Sequence, residues 1–463
     1  MSESPLAGLS RLTIQVPGRR VELAAPADIP VSDLLPALLG FAGTEAEETN
    51  VEGQGWVLQR LGEAPLDPEG TLSTLEVRDG ETLYLRSAAD AMPEAHFDDI
   101  VDGVATVMGR LGGDWTESSS RTFVRAVAAT LLAAVALVLA MPGLPSVDRG
   151  LTAALCGVLL LAGAGTASRA VGDAFTAVML GCAAVPFLAL AGWLLPGGPP
   201  GAELLGPRLL SGGAAAAGGA VLALSVVGAS AAVFLSVGVV AAFATAAGGL
   251  ISATGFPAPD VAAVIAVGAV ILGGFVPALA FRMSGMQMRP LPTSPEELQQ
   301  GIEPHASEEV ARRSATANAW LTSLYAAAGL VCTFCVTVLA QHFGLAEAIT
   351  AATLTVLLLL HGRNLGSVWQ RVSILAPGVW GVAVLATAWA DALGGGGGRL
   401  GLVAGLVALA IVLTIAIWTV PGRRLVPYWG RAAEILHFLV ALALLPLALW
   451  VLGVYGLVRG MTG

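Results

Sequence analysis

Hydrophobic residues dominate the chain after residue 120, in runs long enough to cross a membrane. The first run, residues 121–141, contains Arg121 and Arg125 and then no further charge. A helix of about 20 apolar residues spans the roughly 30 Å hydrocarbon core of a bilayer. Arginines beside a crossing stay preferentially on the cytoplasmic side. The pattern therefore predicts an outward first crossing, with Arg121 and Arg125 as topology anchors and residues 1–120 in the cytosol.

Ten further crossings are predicted from the later apolar runs. The run at 209–251 carries no charge and would form one helix of about 64 Å, twice the bilayer core. We therefore divide it into two helices near Gly228–Ser230. The result is an all-α transmembrane domain over 121–463 with a cytosolic loop at 282–317. The eleven predicted crossings are residues 121–141, 151–168, 174–195, two within 209–251, 261–281, 318–340, 345–360, 372–390, 400–420 and 432–457.

The arginine distribution supports this arrangement, because all 23 basic residues are arginines. With a cytosolic N-terminus, most arginines near the crossings fall on the cytoplasmic side, as the positive-inside rule requires. If 209–251 formed a single crossing, every later helix would run in the opposite direction, and most arginines near the crossings would no longer lie on the cytoplasmic side. The C-terminus is then predicted to be periplasmic or extracellular. The arginines left outside are Arg149, Arg208, Arg399 and Arg459.

The first 88 residues alternate apolar and polar positions in short segments, as strands do. Residues 10–23 form two such segments around a Pro-Gly pair, which predicts a hairpin. A helical leucine stripe follows Pro30, and strands are predicted at 55–61 and 81–86. This order is that of a β-grasp (ubiquitin-like) α+β domain, predicted for residues 1–88. An unrelated small α/β domain is the alternative.

Residues 89–120 are predicted to be a cytosolic linker that carries an amphipathic helix. Apolar residues recur on one face of this helix, and aspartates lie on the opposite face. An acidic face favours contact with a partner protein, or with the chain's own first domain, over an anionic membrane surface. The predicted partner-docking residues are Phe97, Ile100, Val101 and Val104, with Arg312 and Arg313 from the internal loop.

Composition argues against several classes of protein. The chain of 463 residues has 12% charged residues and a mean hydropathy of +0.78, which is typical of a polytopic membrane protein and not of a large soluble enzyme. Most of the acidic residues behind the net charge of −10 lie in the first 120 residues, so no basic surface indicates nucleic-acid binding. The absence of lysine rules out a P-loop lysine and Schiff-base chemistry.

Candidate chemistry in the crossings is sparse, and the chain is predicted not to be an enzyme and to hold no metal or cofactor. Cys332 and Cys335 have a redox-like spacing but lie in an apolar run, so we interpret them as packing residues. Arg431, Glu434 and His437 share a face of the last crossing and form the best candidate for a buried polar site. An interfacial anchor or helix contact is the favoured interpretation of this trio.

Three stretches carry a resemblance to a known family: GWVLQRLGEAPLD (55–67), TLSTLEVRDGETLYLR (71–86) and MPEAHFDDIVDGVA (92–105). Together with the layout of head, linker and eleven crossings, they resemble EccD, the membrane subunit of type VII (ESX) secretion systems of actinobacteria. The resemblance covers essentially the whole chain, and its specificity lies in residues 55–105.

The resemblance implies a non-catalytic structural subunit of the inner-membrane secretion complex. Such subunits form homodimers whose crossings enclose a space filled with membrane lipids. The ubiquitin-like head and linker are then expected to contact the EccC-type motor ATPase, with EccB-type and EccE-type subunits completing the complex. Within the crossings, Gly401 and Gly405 have the spacing that permits close contact with another helix.

The alternative function is a secondary transporter or permease with a regulatory ubiquitin-like domain. A coupled transporter keeps ionisable groups near the middle of the membrane, because these groups bind the coupling ion. The interiors of the predicted crossings are almost without such groups. This sparsity favours the structural subunit.

Overall fold

The structure is a computed structural model. It describes residues 9–16, 19–42, 55–88, 91, 115–197, 204–286, 307–342, 344–394, 396–419 and 427–462. Its contacts divide the chain into two compact units, Met1–Glu117 and Ser118–Gly463. We call the first unit the head and the second the membrane unit.

The head is built on a four-stranded mixed sheet. Strands β1 (Leu9–Val16) and β2 (Arg19–Pro26) form the predicted antiparallel hairpin, and α1 (Val31–Ala42), β3 (Trp56–Gln59) and β4 (Glu81–Ser87) follow. The strand order is β2-β1-β4-β3, with β4 parallel to β1 and antiparallel to β3. The predicted order of elements and the predicted fold class are confirmed.

The inward-facing residues of the central strands form the core of the head. Ile14 of β1 lies opposite Leu83 of β4, and Leu58 of β3 lies opposite Leu85. Each of these four side chains is at most 1% exposed. Leucines of α1 belong to the same buried cluster, so the helix covers this face of the sheet. The alternating apolar and polar residues of these strands therefore point alternately into the core and toward the surface, as the sequence predicts.

The turn before β4 forms at the Asp79-Gly80 pair. Gly80 has a φ of +83°, a left-handed conformation that glycine adopts without a steric penalty. The backbone N–H of Arg11 donates to Asp79 Oδ1 at 2.5 Å, and the N–H of Gly80 donates to the Arg11 carbonyl oxygen at 2.7 Å. These two bonds fix the start of β4 beside β1.

Eleven helices of the described membrane unit are long and apolar enough to cross a membrane, which confirms the predicted number. A π-helical segment (Ala167–Val171) continues α3, a 3-10 turn (Gly362–Asn364) follows α9, and α13 (Val454–Thr462) follows the last crossing. The crossings are α2 (Glu117–Ala140), α3 (Ser146–Thr166), α4 (Ala174–Leu194), α5 (Leu205–Val227), α6 (Ala231–Thr254), α7 (Ala258–Met283), α8 (Ser307–Gln341), α9 (Leu345–His361), α10 (Val368–Ala392), α11 (Gly397–Thr419) and α12 (Pro427–Val451).

The uncharged run at 209–251 forms two helices, and the break between them lies at the predicted position near Gly228–Ser230. Gly228 ends α5 with a φ of +67°, and Ser230 precedes α6 with a φ of +53°. Left-handed conformations at these two positions end one helix and redirect the chain into the next. The predicted pair of crossings is confirmed.

Several helix bounds differ from the predictions by about one turn or more, and three of the differences have a clear local cause. α5 begins at Leu205, about one turn early, because Pro207 lies in the first turn, where no helical hydrogen bond is lost. Residues 307–317 belong to α8 and not to the predicted loop, because the helix begins at Ser307, with Glu308 and Glu309 in its first turn, and continues directly into the crossing. The last crossing ends at Val451 and not at 457, because Gly453, with a φ of +70°, interrupts the helix.

Glycines allow close contacts between the crossings. A Cβ at Gly248 of α6 would lie 2.7 Å from the carbonyl oxygen of Gly206 in α5. A Cβ at Gly213 would lie 2.6 Å from Thr245 Oγ1. Small residues at such positions let helix backbones approach within the membrane. The pair α5–α6 is therefore held by backbone proximity more than by large side chains.

The largest buried cluster of the membrane unit contains residues of α6, α7, α8, α9, α10 and α12. Cys332 and Cys335 of α8 belong to it and are 2% and 4% exposed. Both are free thiols. Their positions support the interpretation of this pair as packing residues.

Candidate interaction sites of the membrane unit

Arg125 of α2 pairs with the start of α4. Its Nη2 donates to Asp173 Oδ2 at 2.7 Å, and its Nε donates to Thr176 Oγ1 at 2.9 Å. Its guanidinium carbon lies 4.9 Å from the centre of the Phe175 ring. The two charged side chains are only 23% and 32% exposed. We call these four residues the Arg125 node; the predicted topology anchor is also a contact between two crossings.

Local sequence places Asp173 at this node. Gly172, with a φ of +76°, ends the π-helical segment, and Asp173 caps α4 by accepting from the Thr176 N–H at 3.1 Å and from its hydroxyl at 2.5 Å. These Thr176 hydrogen bonds, and then the Arg125 guanidinium, hold the pKa of Asp173 well below its usual range. Asp173 is not among the predicted site residues; the Asp-x-x-Thr capping pattern is the signal in the sequence that identifies its role.

Arg149 of α3 holds the other end of α2. Its Nη1 donates to the carbonyl oxygens of Ala140 at 3.2 Å and Met141 at 2.9 Å. The last carbonyls of a helix lack helical partners and carry partial negative charge, which a cation satisfies. α2 is therefore attached to its neighbours at both ends.

Between these attachments α2 packs loosely. All residues of α2 are described and none of them is buried, and the anchor Arg121 lies exposed near its start. Val124 and Leu131 are 65% and 62% exposed. A groove of about 900 Å³ lies between α2 and α4, with Met179 and Leu180 on its far wall. Most of the apolar surface of α2 is thus left to lipid or to another chain.

α11 is the other crossing without a buried residue in the described ranges. It carries Gly401 and Gly405, and apart from the adjacent backbone of α11 itself no described atom lies within 4 Å of the place that a Cβ would occupy at either glycine. The spacing of these glycines is that of close helix–helix contacts in membranes. Among the described residues, no other helix packs against the surface that they form.

Arg312 and Arg313 lie on the exposed first turns of α8 and both pair with Glu309. Arg312 Nη2 lies 2.6 Å from Glu309 Oε2, and Arg313 Nε lies 2.5 Å from Oε1. Arg313 also donates to the Gly285 carbonyl oxygen at 2.9 Å. The structure therefore groups these two predicted docking residues and holds them against their own chain. The other predicted docking residues lie outside the described residues: Phe97, Ile100, Val101 and Val104.

His437 takes part in a different cluster from the predicted one. Its Nε2 lies 3.3 Å from Nδ1 of His361 on α9, and the ring centres are 5.4 Å apart. The Tyr325 ring of α8 lies 5.6 Å from the His361 ring, and the three rings line a cavity of about 180 Å³. Arg431 and Glu434 are exposed, so the trio does not form a buried site. A separation of 76 residues hides the histidine pair from any local pattern.

A small mixed-sheet head followed by eleven crossings defines a polytopic membrane protein with an N-terminal soluble domain. The family model of the EccD-like transmembrane domain matches residues 120–461. The family model of the WXG100 protein secretion system (Wss) protein YukD matches residues 9–85. The chain belongs to the EccD family of integral membrane subunits of type VII (ESX) secretion systems, and its head is a ubiquitin-like domain of the YukD type. The predicted family is confirmed.

Individual relatives are similar over nearly the full chain. The ESX-4 secretion system protein eccD4 of Mycobacterium tuberculosis, in strains CDC 1551 / Oshkosh and H37Rv, is 28% identical over 482 residues, covering 98% of this chain and 97% of the relative. A chain of the MycP5-free ESX-5 inner membrane complex, State II, is 21% identical with a TM-score of 0.58, covering 90% of this chain and 100% of that chain. A chain in protomer 1 of the ESX-3 core complex is 18% identical with a TM-score of 0.57, covering 97% and 100%. These two structures share the fold.

Proposed function

We propose that this chain is a non-catalytic scaffold of a secretion complex in the bacterial inner membrane. In this role it pairs with a second copy through α11 and docks the motor ATPase through its head and linker. Family membership supports a place in a multi-subunit membrane assembly, as do the complexes that contain its structural relatives. The observation that carries the proposal is that α11 has no buried residue of its own.

The chemistry of α11 favours a second copy as its occupant. Lipid tails are as apolar as leucine, so helices associate in membranes through close packing at small residues. Gly401 and Gly405 present such residues with open space in front of them. Two identical helices that bring these glycines together form a self-complementary contact, which twofold pairing requires.

The arginine distribution supports an N-terminus in the cytoplasm and a C-terminus outside. Arg121 and Arg125 at the start of α2 share this side with Arg312 and Arg313 at the start of α8. The head is then in the cytosol, where it can meet an EccC-type ATPase. The remaining contacts of the complex are assigned to EccB-type and EccE-type subunits, and the apolar surfaces of the crossings to membrane lipids.

Cysteine cross-linking in native membranes tests the pairing. In a background with the native cysteines replaced, Ala404→Cys lies between the two glycines of α11, and oxidation is expected to give a species of twice 46.7 kDa. Val221→Cys, which is 66% exposed on α5, is the matched control and should stay monomeric. Adding Gly405→Leu should abolish the cross-link at position 404. Equal cross-linking at both positions, or none at position 404, refutes pairing through α11.

Recovery of partners tests the docking role. The detergent-solubilised full chain should bring down a large complex that contains the motor ATPase, and a Phe97→Asp, Val101→Asp variant should recover less of it. A purified chain that recovers no ATPase but transports a solute in liposomes would favour the transporter alternative. In that case the His361–His437 pair is the polar cluster to replace, and its replacement should stop the flux.

A further inference from the structure

An apolar slot runs between α5, α6, α7 and α8, within a single chain. Its volume is about 320 Å³, similar to the smaller ligand cavities of proteins. Its walls carry no charged, hydroxyl or amide side chain. The lining residues are Leu205, Leu209, Val240, Phe243, Ala244, Ala247, Ile251, Ala258, Val261, Ala262, Ile265, Val331, Phe334, Cys335 and Val338. We call this space the α5–α8 slot.

The shape of the slot matches half of a bilayer. Its α6 wall extends from Val240 to Ile251, which at 1.5 Å per residue is about 16 Å. One leaflet contributes about half of the roughly 30 Å hydrocarbon core. Floor residues such as Val261 and Val331 are 2% and 5% exposed, whereas Phe334 at its edge is 61% exposed. The slot is therefore closed on its inner side and open toward the lipid.

Small side chains keep the slot open. Ala244 and Ala247 of α6 and Ala258 and Ala262 of α7 all line it, and none of these side chains reaches far from its own backbone. A cavity without polar walls does not hold ordered water, because water there finds no hydrogen-bond partners. The chemistry of the walls selects a hydrocarbon chain.

A cation with an unsatisfied donor lies on α5 beside two residues that line the slot, Leu205 and Leu209. Arg208 is in the first turn of α5, next to the lining residue Leu209, and its Nε is buried without a hydrogen-bond partner in the described residues. Other arginines predicted at this side of the membrane have partners: Arg149 binds helix carbonyls, and Arg399 donates to the Ala390 carbonyl oxygen at 2.7 Å. A buried guanidinium donor without a partner indicates a missing acceptor.

We propose that the α5–α8 slot holds one acyl chain of an anionic phospholipid whose phosphate accepts hydrogen bonds from Arg208. The guanidinium fork matches the geometry of a phosphate, and the first turn of a helix favours negative charge. This lipid is bound within one chain and is separate from any lipid enclosed between two copies. The inference is independent of the pairing and docking roles proposed above.

Native mass spectrometry of the purified full chain, exchanged into mixed phosphatidylglycerol and phosphatidylcholine, tests the proposal. The unmodified chain should retain one phosphatidylglycerol, with a preference of about tenfold over phosphatidylcholine, because both lipids carry a phosphate but the choline cation of phosphatidylcholine offsets its negative charge beside Arg208. Arg208→Gln should remove the preference while one lipid is still retained. Ala247→Phe fills the slot and should abolish retention of both lipids. Ala246→Phe, on the neighbouring exposed position of α6, is the matched control and should behave as the unmodified chain.

Three results would overturn the proposal. The first is an unmodified chain that retains no lipid. The second is equal loss of lipid in the Ala247→Phe and Ala246→Phe variants, because a general effect of added bulk would then explain it. The third is a preference for phosphatidylglycerol that survives Arg208→Gln. Hydrogen exchange in α5 and α6 reports whether each variant is folded, so that a misfolded chain is not counted as an empty slot.

Discussion

Replacing Leu85 with alanine is expected to lower the stability of the head without disturbing the crossings. Leu85 is fully buried on β4 and lies opposite the equally enclosed Leu58 of β3. Leucine-to-alanine changes at such sites cost 2–5 kcal/mol, because they lose burial and leave a cavity. A loss of about 3 kcal/mol in the free energy of unfolding raises the population of the unfolded head by about 150-fold. Since small domains are stable by only about 5–10 kcal/mol, this is a large share of the total.

Hydrogen exchange measured by mass spectrometry on the full chain is the appropriate assay. In Leu85→Ala, the amides of β1 and β4 should exchange about two orders of magnitude faster, while the amides of α4–α10 keep their protection. Thr82→Ala on the same strand is the control, because Thr82 is exposed and surface changes cost within about 0.5 kcal/mol. Equal exchange in the two variants would refute the account of the head core. If docking is through the head, Leu85→Ala should also recover less motor ATPase, and Thr82→Ala should not.

Three further outcomes follow from the membrane unit. Arg125→Gln should speed amide hydrogen exchange at the start of α2, because it removes the ion pair with Asp173. Arg125→Lys should keep part of the protection, because it keeps the positive charge. Because the pKa of Asp173 is lowered in the folded chain, its ion pair contributes fully to stability above the unfolded-state pKa of about 3.9 and is lost only on further acidification. The effect of Arg125→Gln on hydrogen exchange should therefore be equal at about pH 8 and about pH 5. A smaller effect at about pH 5 would contradict this. Gly248→Ala should destabilise the chain in detergent by about 1–3 kcal/mol, because the added Cβ meets the α5 backbone. Gly249→Ala is the control and should be tolerated. Equal melting temperatures of the two variants would contradict the close α5–α6 contact.

The elements of this chain were predictable because their signals are local. The length of an apolar run determines whether it crosses a bilayer, and the uncharged run at 209–251 was too long for one helix. In the head, alternation and the Pro-Gly pair of the hairpin were enough to predict the strands and their order along the chain. The errors lie at helix ends, as at Ser307 and Val451, where capping and single glycines outweigh average hydropathy.

The contacts of the candidate sites were not predictable in the same way. Arg125 was predicted to be a topology anchor from its position beside a crossing, but its partner Asp173 is 48 residues away and was not predicted. His437 was grouped with Arg431 and Glu434 because they share a helical face, and the structure instead pairs it with His361. Such pairings depend on which helices become neighbours, and helical periodicity carries no information about neighbours.

The sequence by itself determined the family, the ubiquitin-like head and the number of crossings. Each of these properties depends on the order and spacing of residues along the chain. Only the tertiary structure showed that no residue of α2 or α11 is buried, that Arg125 joins α2 to α4, and that an apolar slot lies between α5, α6, α7 and α8. All crossings have similar apolar sequences, so packing between helices alone decides which surfaces are covered and which are left for lipid or a partner.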